Sequence, residues 1–472
     1  MTLISQVLWG AGFCEVFGFS FTVLRMSTLV LGFIGMGAAY YLFRELGQKR
    51  DFSIFLSLLF GFNPFFFSLS YTFMTDVPFF TFSLLSVLFY LKSFKEGALK
   101  WVMLGTIFGL TATLVRQLGL MLPLAFSIAW FFKNRHTGKT AFLAIMPFAL
   151  TLTAFLLYSK WLSATNGLPD GYGDFQKLFK RVGQEGFLIE SYKRVGVLIF
   201  YCGMFFVPVI PLLVRPSLPK KRWITGLLLI VIAGAFYLAW PRLPWGNVLY
   251  NLGLGPKVLK DTYFSINKHP EAPRFVISTV KVIGMFGAVF MFIHFFNAIK
   301  ALLVQKHVAP IVFALSNVLL YLWFLLLDIH FFDRYYFQLL PFIGICLFAG
   351  GAISFSKKAF CLSSVLLLGF ALFSIAATHD YLAWNKARWA ALNELVKEQN
   401  ISPHFIDGGF EFNGWYRPGE RDYESGRSWW WVDKDDYVVT FGDFPGFGKF
   451  KAVPFIRYLP PGVDSIYVLK RE

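Results

Sequence analysis

Blocks of about twenty consecutive apolar residues recur along most of this 472-residue chain, and each is long enough to cross the hydrocarbon core of a bilayer. In hydrocarbon every backbone N–H and C=O must find its partner within the protein, so such blocks fold as helices. Read for apolar runs, the sequence predicts about twelve spans, at approximately 20–43, 52–72, 77–94, 101–115, 117–132, 140–160, 195–214, 223–240, 275–299, 308–327, 335–352 and 359–377. Charged residues are 15% of the chain, against roughly a quarter in a soluble globular protein. The stretch 2–18 is short and interrupted by glycine, which predicts an interfacial helix.

Lys and Arg exceed Asp and Glu by 44 to 27, a net charge of +17. Many of the basic residues sit in short loops between apolar blocks, such as Arg44, Lys49 and Arg50, then Lys133, Arg135 and Lys139, then Arg215, Lys220, Lys221 and Arg222. That placement assigns the charge to anionic headgroups on the cytoplasmic side and excludes nucleic acid as the partner. It puts Asp76, Arg116, the segments 161–194 and 241–274, Asp328 to Arg334 and everything after 377 on the outer face. The four cysteines are scattered through apolar stretches without metal-ligand spacing, and read as small buried hydrophobes.

The expected fold is therefore an α-helical polytopic membrane domain, 1–377, followed by a small α+β outer-face domain, 378–472. In that tail, Ala383 to Glu398 has helical periodicity, and the runs 436–442, 450–457 and 465–470 read as strands separated by Gly/Pro turns.

Polar residues at the outer rim carry what chemistry the sequence shows. Asp76 opens a returning helix whose Pro78 suits a first turn. It, or Thr75, is predicted to cap that helix, or else to hold a carboxylate where it binds a metal or polarises an acceptor hydroxyl. Arg116, alone in an apolar hairpin, either snorkels to the interface or captures a phosphate with two N–H groups. Asp328, His330, Asp333 and Arg334 crowd one turn, and the Asp/His/Asp set leaves room for a divalent metal ion. In the tail, Asp407-Gly-Gly-Phe-Glu-Phe-Asn-Gly-Trp-Tyr416 reads as a turn-rich loop with a local core, or as an aromatic and polar surface of the kind that meets carbohydrate.

In this order and topology the residues resemble the GT-C superfamily of polyprenyl-phosphate-sugar glycosyltransferases, in particular the protein O-mannosyltransferase branch (glycosyltransferase family 39-like) and the bacterial lipid A aminoarabinose transferases. Phe17-Gly-Phe-Ser-Phe-Thr-Val-Leu-Arg25 with Tyr40-Tyr-Leu-Phe-Arg44 is similar to the second-helix signature of that superfamily. The most specific likeness is Asn63-Pro-Phe-Phe-Phe-Ser-Leu-Ser-Tyr-Thr-Phe-Met-Thr-Asp76. Gly109-Leu-Thr-Ala-Thr-Leu-Val-Arg116 resembles its basic hairpin, and Arg334-Tyr-Tyr with Pro341 resembles a later element. The likeness covers about 15–135 and 325–350.

The resemblance implies an inverting transferase that moves a hexosyl or pentosyl unit from a polyprenyl-phosphate donor to a lipid, protein or glycan acceptor. It implies a bacterial inner-membrane location with the tail outside the cytoplasm. Carried onto this sequence, it makes Asp76 the catalytic carboxylate, supporting the acceptor or a divalent ion. Arg116 and Arg334 would hold the donor phosphate, and Asp407, Glu411 and Trp415 would contact the acceptor. In the superfamily an acidic residue of the first outer loop is the principal base. Here no Asp precedes Asp51, and Glu15 does not match in place. The expectation is a shortened gene model or a relative without that base. The rival classes are a non-catalytic relative and a transporter or flippase of a lipid-linked substrate. His294 and Lys281, inside an apolar run, speak for the transporter.

Overall fold

The computed structural model describes residues 3–133, 138–165, 167, 181–213, 234, 274–304, 308–327, 332–350, 353, 355–416 and 435–472. They fall into two compact units, one within Met1–Pro244 and Val280–Ala371, the other within Trp245–Thr279 and Leu372–Glu472.

The first unit is helical. Its opening helices are α1 (Ile4–Phe17), α2 (Phe21–Glu45), α3 (Arg50–Gly61), α4 (Pro64–Ser70), α5 (Asp76–Glu96) and α6 (Leu99–Thr113). A 3-10 turn, Gln117–Leu120, leads into α7 (Met121–Lys133), and α8 (Gly138–Thr165) follows. Further along come α9 (Phe187–Phe205), α10 (Arg274–Val304), α11 (Val308–Leu327), a 3-10 stretch Asp333–Leu339 and α12 (Leu340–Phe348).

Local chemistry sets these boundaries. Ser20 caps α2 by accepting the Val23 N–H at 3.1 Å. Asn63 caps α4 by accepting the Phe65 N–H at 3.0 Å, with Pro64 at the first helical position, where its missing N–H costs nothing. α5 ends on Gly97, whose φ of 68° lies in the left-handed region that favours glycine. Helix α5 packs on α2 and α6, and α7 packs on α8 and α11. Aromatic rings fill the seams: Phe80 meets Phe337 at 4.4 Å and Phe66 at 5.3 Å between centroids.

Among the described residues, six helices are long and apolar enough to cross a membrane, or eight if each of two bent pairs counts as one span. The structure thus shows a multi-pass helical membrane protein, and the described residues hold six to eight of the roughly twelve expected spans. Several of the expected runs are short or bent. The runs at 101–115 and 117–132 form helical segments of 15 and 17 residues, and the run at 335–352 divides into a 3-10 stretch and the short α12. The run at 52–72 breaks by 66° between α3 and α4. The expected span at 223–240 lies outside the described residues apart from Gly234. Large apolar side chains such as Phe142, Ile145 and Leu157 are exposed on α8, as a lipid-facing helix requires.

The second unit is α+β. The helix α13 (Lys357–Asn393) begins in the first unit and ends in this one, closing on a π-turn at Glu394–Glu398. The strands are β1 (Ile406–Asp407), β2 (Tyr437–Thr440), β3 (Phe447–Tyr458) and β4 (Pro461–Arg471), with a short helix α14 (Phe410–Tyr416) after β1. Their order is β1-β2-β4-β3, with β1 parallel to β2 and the other pairs antiparallel. Trp384, Leu392 and Leu395 of the helical segment pack with Ile406, Phe412, Val439, Phe455, Ile466 and Val468 to make the core. Asp380 joins helix to sheet edge, accepting the Tyr458 and Leu459 N–H groups at 2.8 Å each.

Candidate functional site

The bend at Asn63-Pro64 turns the chain into α4, and residues 71–75 then return it to the start of α5. Gln6 of α1 holds that turn by donating to the Phe73 carbonyl at 3.0 Å. Asp76 is the first residue of α5, but neither it nor Thr75 caps the helix. Thr75 is the N-cap residue but its side chain makes no capping hydrogen bond, while the Asp76 carboxylate points to two arginines.

Arg116 arrives there through close packing of α5 on α6. Ser86 donates to the Gly105 carbonyl at 2.7 Å, and the Tyr90 and Thr106 hydroxyls lie 3.3 Å apart. Gly105 leaves room for this approach, because a Cβ there would stand 2.5 Å from the Tyr90 ring. After α6 the chain extends at Arg116 and tightens into the 3-10 turn, where the Gly119 N–H donates to the Arg116 carbonyl at 2.8 Å. Arg116 Nη1 donates to Asp76 Oδ1 at 3.0 Å, and the guanidinium lies 4.6 Å from the centre of the Tyr335 ring.

Arg334 comes from the 3-10 stretch before α12. Its neighbour Asp333 is fully buried, accepting the Arg334 N–H at 2.8 Å and the Tyr201 hydroxyl at 3.3 Å. Tyr336 donates to the Arg194 carbonyl at 2.6 Å. These bonds fix the turn, and Arg334 Nε lies 3.7 Å from Asp76 Oδ2. The Arg334 guanidinium also faces the Phe332 ring at 4.8 Å. Gln338, one helical turn further on, donates to the Asp76 backbone carbonyl at 3.0 Å.

The two oxygens of one carboxylate thus each meet a different guanidinium. Asp76 is 3% exposed, whereas the Arg116 and Arg334 side chains keep 16% and 12%. Whatever approaches the cluster meets positive charge first. Burial opposes the Arg116 charge, but Asp76, helped by Tyr321 and Tyr335, more than offsets it and holds the group above the usual arginine range. Such a pair of forked, charge-assisted donors suits a phosphate. Arg116 is therefore a paired, largely buried group. Among the described residues no group of three or more His, Cys, Asp or Glu could hold a metal ion. Asp328 and His330 of the expected Asp/His/Asp set lie outside the described residues.

In the second unit the tail residues separate by burial. Asp407 is 2% exposed, and its Oδ1 accepts the Gly409 N–H at 3.2 Å and the Asn413 amide at 2.9 Å. Glu411 and Trp415 of α14 are exposed, and Glu411 accepts from the buried Arg388 at 3.0 Å. The loop expected at 407–416 is a strand end followed by a helix.

Sequence reading singled out Asp76, Arg116 and Arg334, which the structure brings together. The structure adds Tyr201 and Gln338 to them, and Tyr335 from the Arg334-Tyr-Tyr element. Their signal is polar groups within apolar runs, where each needs a partner. Comparison with protein families finds a match to the family described as dolichyl-phosphate-mannose-protein mannosyltransferase, over residues 8–163. That stretch is about a third of the chain and holds Asp76 and Arg116 but not Arg334. No curated protein and no solved structure matches the chain. The protein is a multi-pass membrane protein whose first third is similar to that mannosyltransferase family.

Proposed function

We propose that the protein is a membrane glycosyltransferase that takes a sugar from a polyprenyl-phosphate donor on the outer face of the membrane. The convergence of Arg116 and Arg334 on Asp76 carries this reading, and the mannosyltransferase-family match over 8–163 supports it. In the transfer, the bond between the anomeric carbon and the phosphate oxygen breaks, and the phosphate keeps the electron pair. An acceptor hydroxyl attacks the opposite face of the sugar, and its proton passes through water to the departing phosphate. The two guanidiniums offset the charge that grows on the leaving phosphate. Asp76 holds both of them in register, which is its catalytic role in this reading. The rings of Tyr335 and Phe332 back the guanidiniums and limit their swing. The donor's lipid chain lies along the phenylalanine-rich helices, in contact with membrane lipid. In the 378–472 domain, Glu411 and Trp415 are the exposed candidates for acceptor contact, and Asp407 orders the turn that carries them.

The test is to reconstitute the full chain with a panel of polyprenyl-phosphate sugars and follow donor consumption by mass spectrometry. Loss of sugar from at least one donor, abolished in Arg334→Ala, is the expected result. Movement of intact donor between leaflets without sugar loss would favour a flippase, and no change in any donor would contradict the reading.

A further inference from the structure

One to two helical turns along α5 from Asp76, the first unit has a small, partly open cavity of about 10 Å³ lined by Ser83, Met121, Asn317, Tyr321, Gln338 and Phe342, among others. That volume is about one water-sized sphere. Its polar wall is incompletely satisfied by the protein. Ser83 Oγ and Gln338 Oε1 are buried and have no hydrogen-bond partner. The orientation of the Gln338 amide is set by chemistry, because its Nε2 donates to the Asp76 carbonyl, which leaves the oxygen as the end without a donor. Asn317 adds a third polar side chain to the same wall. In hydrocarbon these groups have no bulk solvent to turn to.

We propose that this cavity is a binding site for one buried water molecule that donates to Gln338 Oε1 and shares a second hydrogen bond with Ser83 Oγ. A buried water needs two to four polar partners, and Ser83, Gln338 and Asn317 meet that requirement. A lipid methyl group in the same space would leave both unsatisfied atoms as they are, so the chemistry selects water. The consequence reaches the site: the water fixes the far end of the amide whose near end holds the first carbonyl of α5. This inference does not rest on the glycosyltransferase reading, and it is tested without substrate.

Two measurements decide it. An experimental structure of the full chain, at a resolution that shows buried waters elsewhere in it, is expected to show density between Ser83 and Gln338. Its absence there would overturn the proposal. The second measurement is thermal unfolding in detergent of Ser83→Ala, Gln338→Met and the double variant. With the water present, Ser83→Ala removes one of its anchors and lowers the melting temperature by a few degrees. The same change then costs little in the Gln338→Met background, since the linked group is already gone. In a dry cavity Ser83→Ala removes an unpaired hydroxyl, so a melting temperature unchanged or raised would overturn the proposal. Equal losses with and without Gln338 would overturn it as well.

Discussion

Replacing Asp76 by Ala should be among the most destabilising single changes in the helical unit, and the structure says how large the effect is. The substitution leaves Arg116 and Arg334, 16% and 12% exposed, without the carboxylate that each approaches at 3.0 and 3.7 Å. Removing one partner of a buried ion pair costs about 3–5 kcal/mol, because the remaining charge is stranded. Asp76→Asn keeps an oxygen that can accept from Arg116 and loses only the charge, so its cost should be nearer about 1.5–3 kcal/mol, the value of a hydrogen bond to a charged group. The double variant Asp76→Ala/Arg116→Met removes the stranded charge nearest the carboxylate, and should recover part of the loss. Equilibrium unfolding in mixed micelles, followed by tryptophan fluorescence, measures these three and Arg116→Met alone. An Asp76→Ala protein within about 0.5 kcal/mol of the parent, the range of an ordinary surface change, would refute the claim that this carboxylate is the buried counter-ion. So would a double variant whose loss is the sum of the two single ones.

Other expectations follow from close approaches. Gly119→Ala would place a Cβ 2.4 Å from the Thr113 N, against backbone that cannot yield. It should cost about 1–3 kcal/mol and displace the turn that presents Arg116, seen as lower stability together with weaker binding of polyprenyl phosphate. Gly203 of α9 meets Gly284 and Ala288 of α10 so closely that a Cβ would stand 2.2 Å from the Gly284 carbonyl oxygen. Gly203→Leu should therefore separate the two helices, as small-residue crossings in membranes predict, and a cysteine cross-link between α9 and α10 should form more slowly in that variant. In the second unit, Asn413→Leu removes both the donor to Asp407 and the acceptor of the Gly408 N–H. It should lower the melting temperature of the protein, with a cost of about 1–3 kcal/mol for the buried carboxylate left short of a donor.

Much of the site was legible as isolated residues, but its assembly was not. Asp76, Arg116 and Arg334 stand out because an ionisable group next to an apolar run demands an explanation. Their mutual pairing joins positions 40 residues apart in one case, and no local pattern encodes which arginine meets which oxygen. Asp76 opening a helix before Pro78 fits a cap on sequence grounds. The structure departs from that because two guanidiniums offer the carboxylate more than one backbone N–H does. An apolar run and a straight span differ where composition and geometry part. Asn63-Pro64 lies inside an apolar run, yet it breaks the helix by 66°. In the tail the strands β2, β3 and β4 were readable from alternation and turns. Strand β1 was not, since two residues carry no period, and Asp407 is buried because Gly408 and Gly409 let the chain fold back on it. A Cβ at Gly408 would stand 2.6 Å from the Phe412 ring, and Gly409 has a φ of 94°.

In the proposed function, Arg116 and Arg334 together form the seat of a lipid-linked phosphate. Native mass spectrometry of the full chain with polyprenyl phosphate tests it most directly, comparing the parent protein with Arg116→Gln/Arg334→Gln. Asp76 has no guanidinium to pair with in the double variant, so stability is measured alongside to confirm that it is folded. The parent is expected to retain the lipid and the folded double variant to lose it, while the unphosphorylated polyprenol binds neither. Equal retention of the phosphate by both proteins would contradict it.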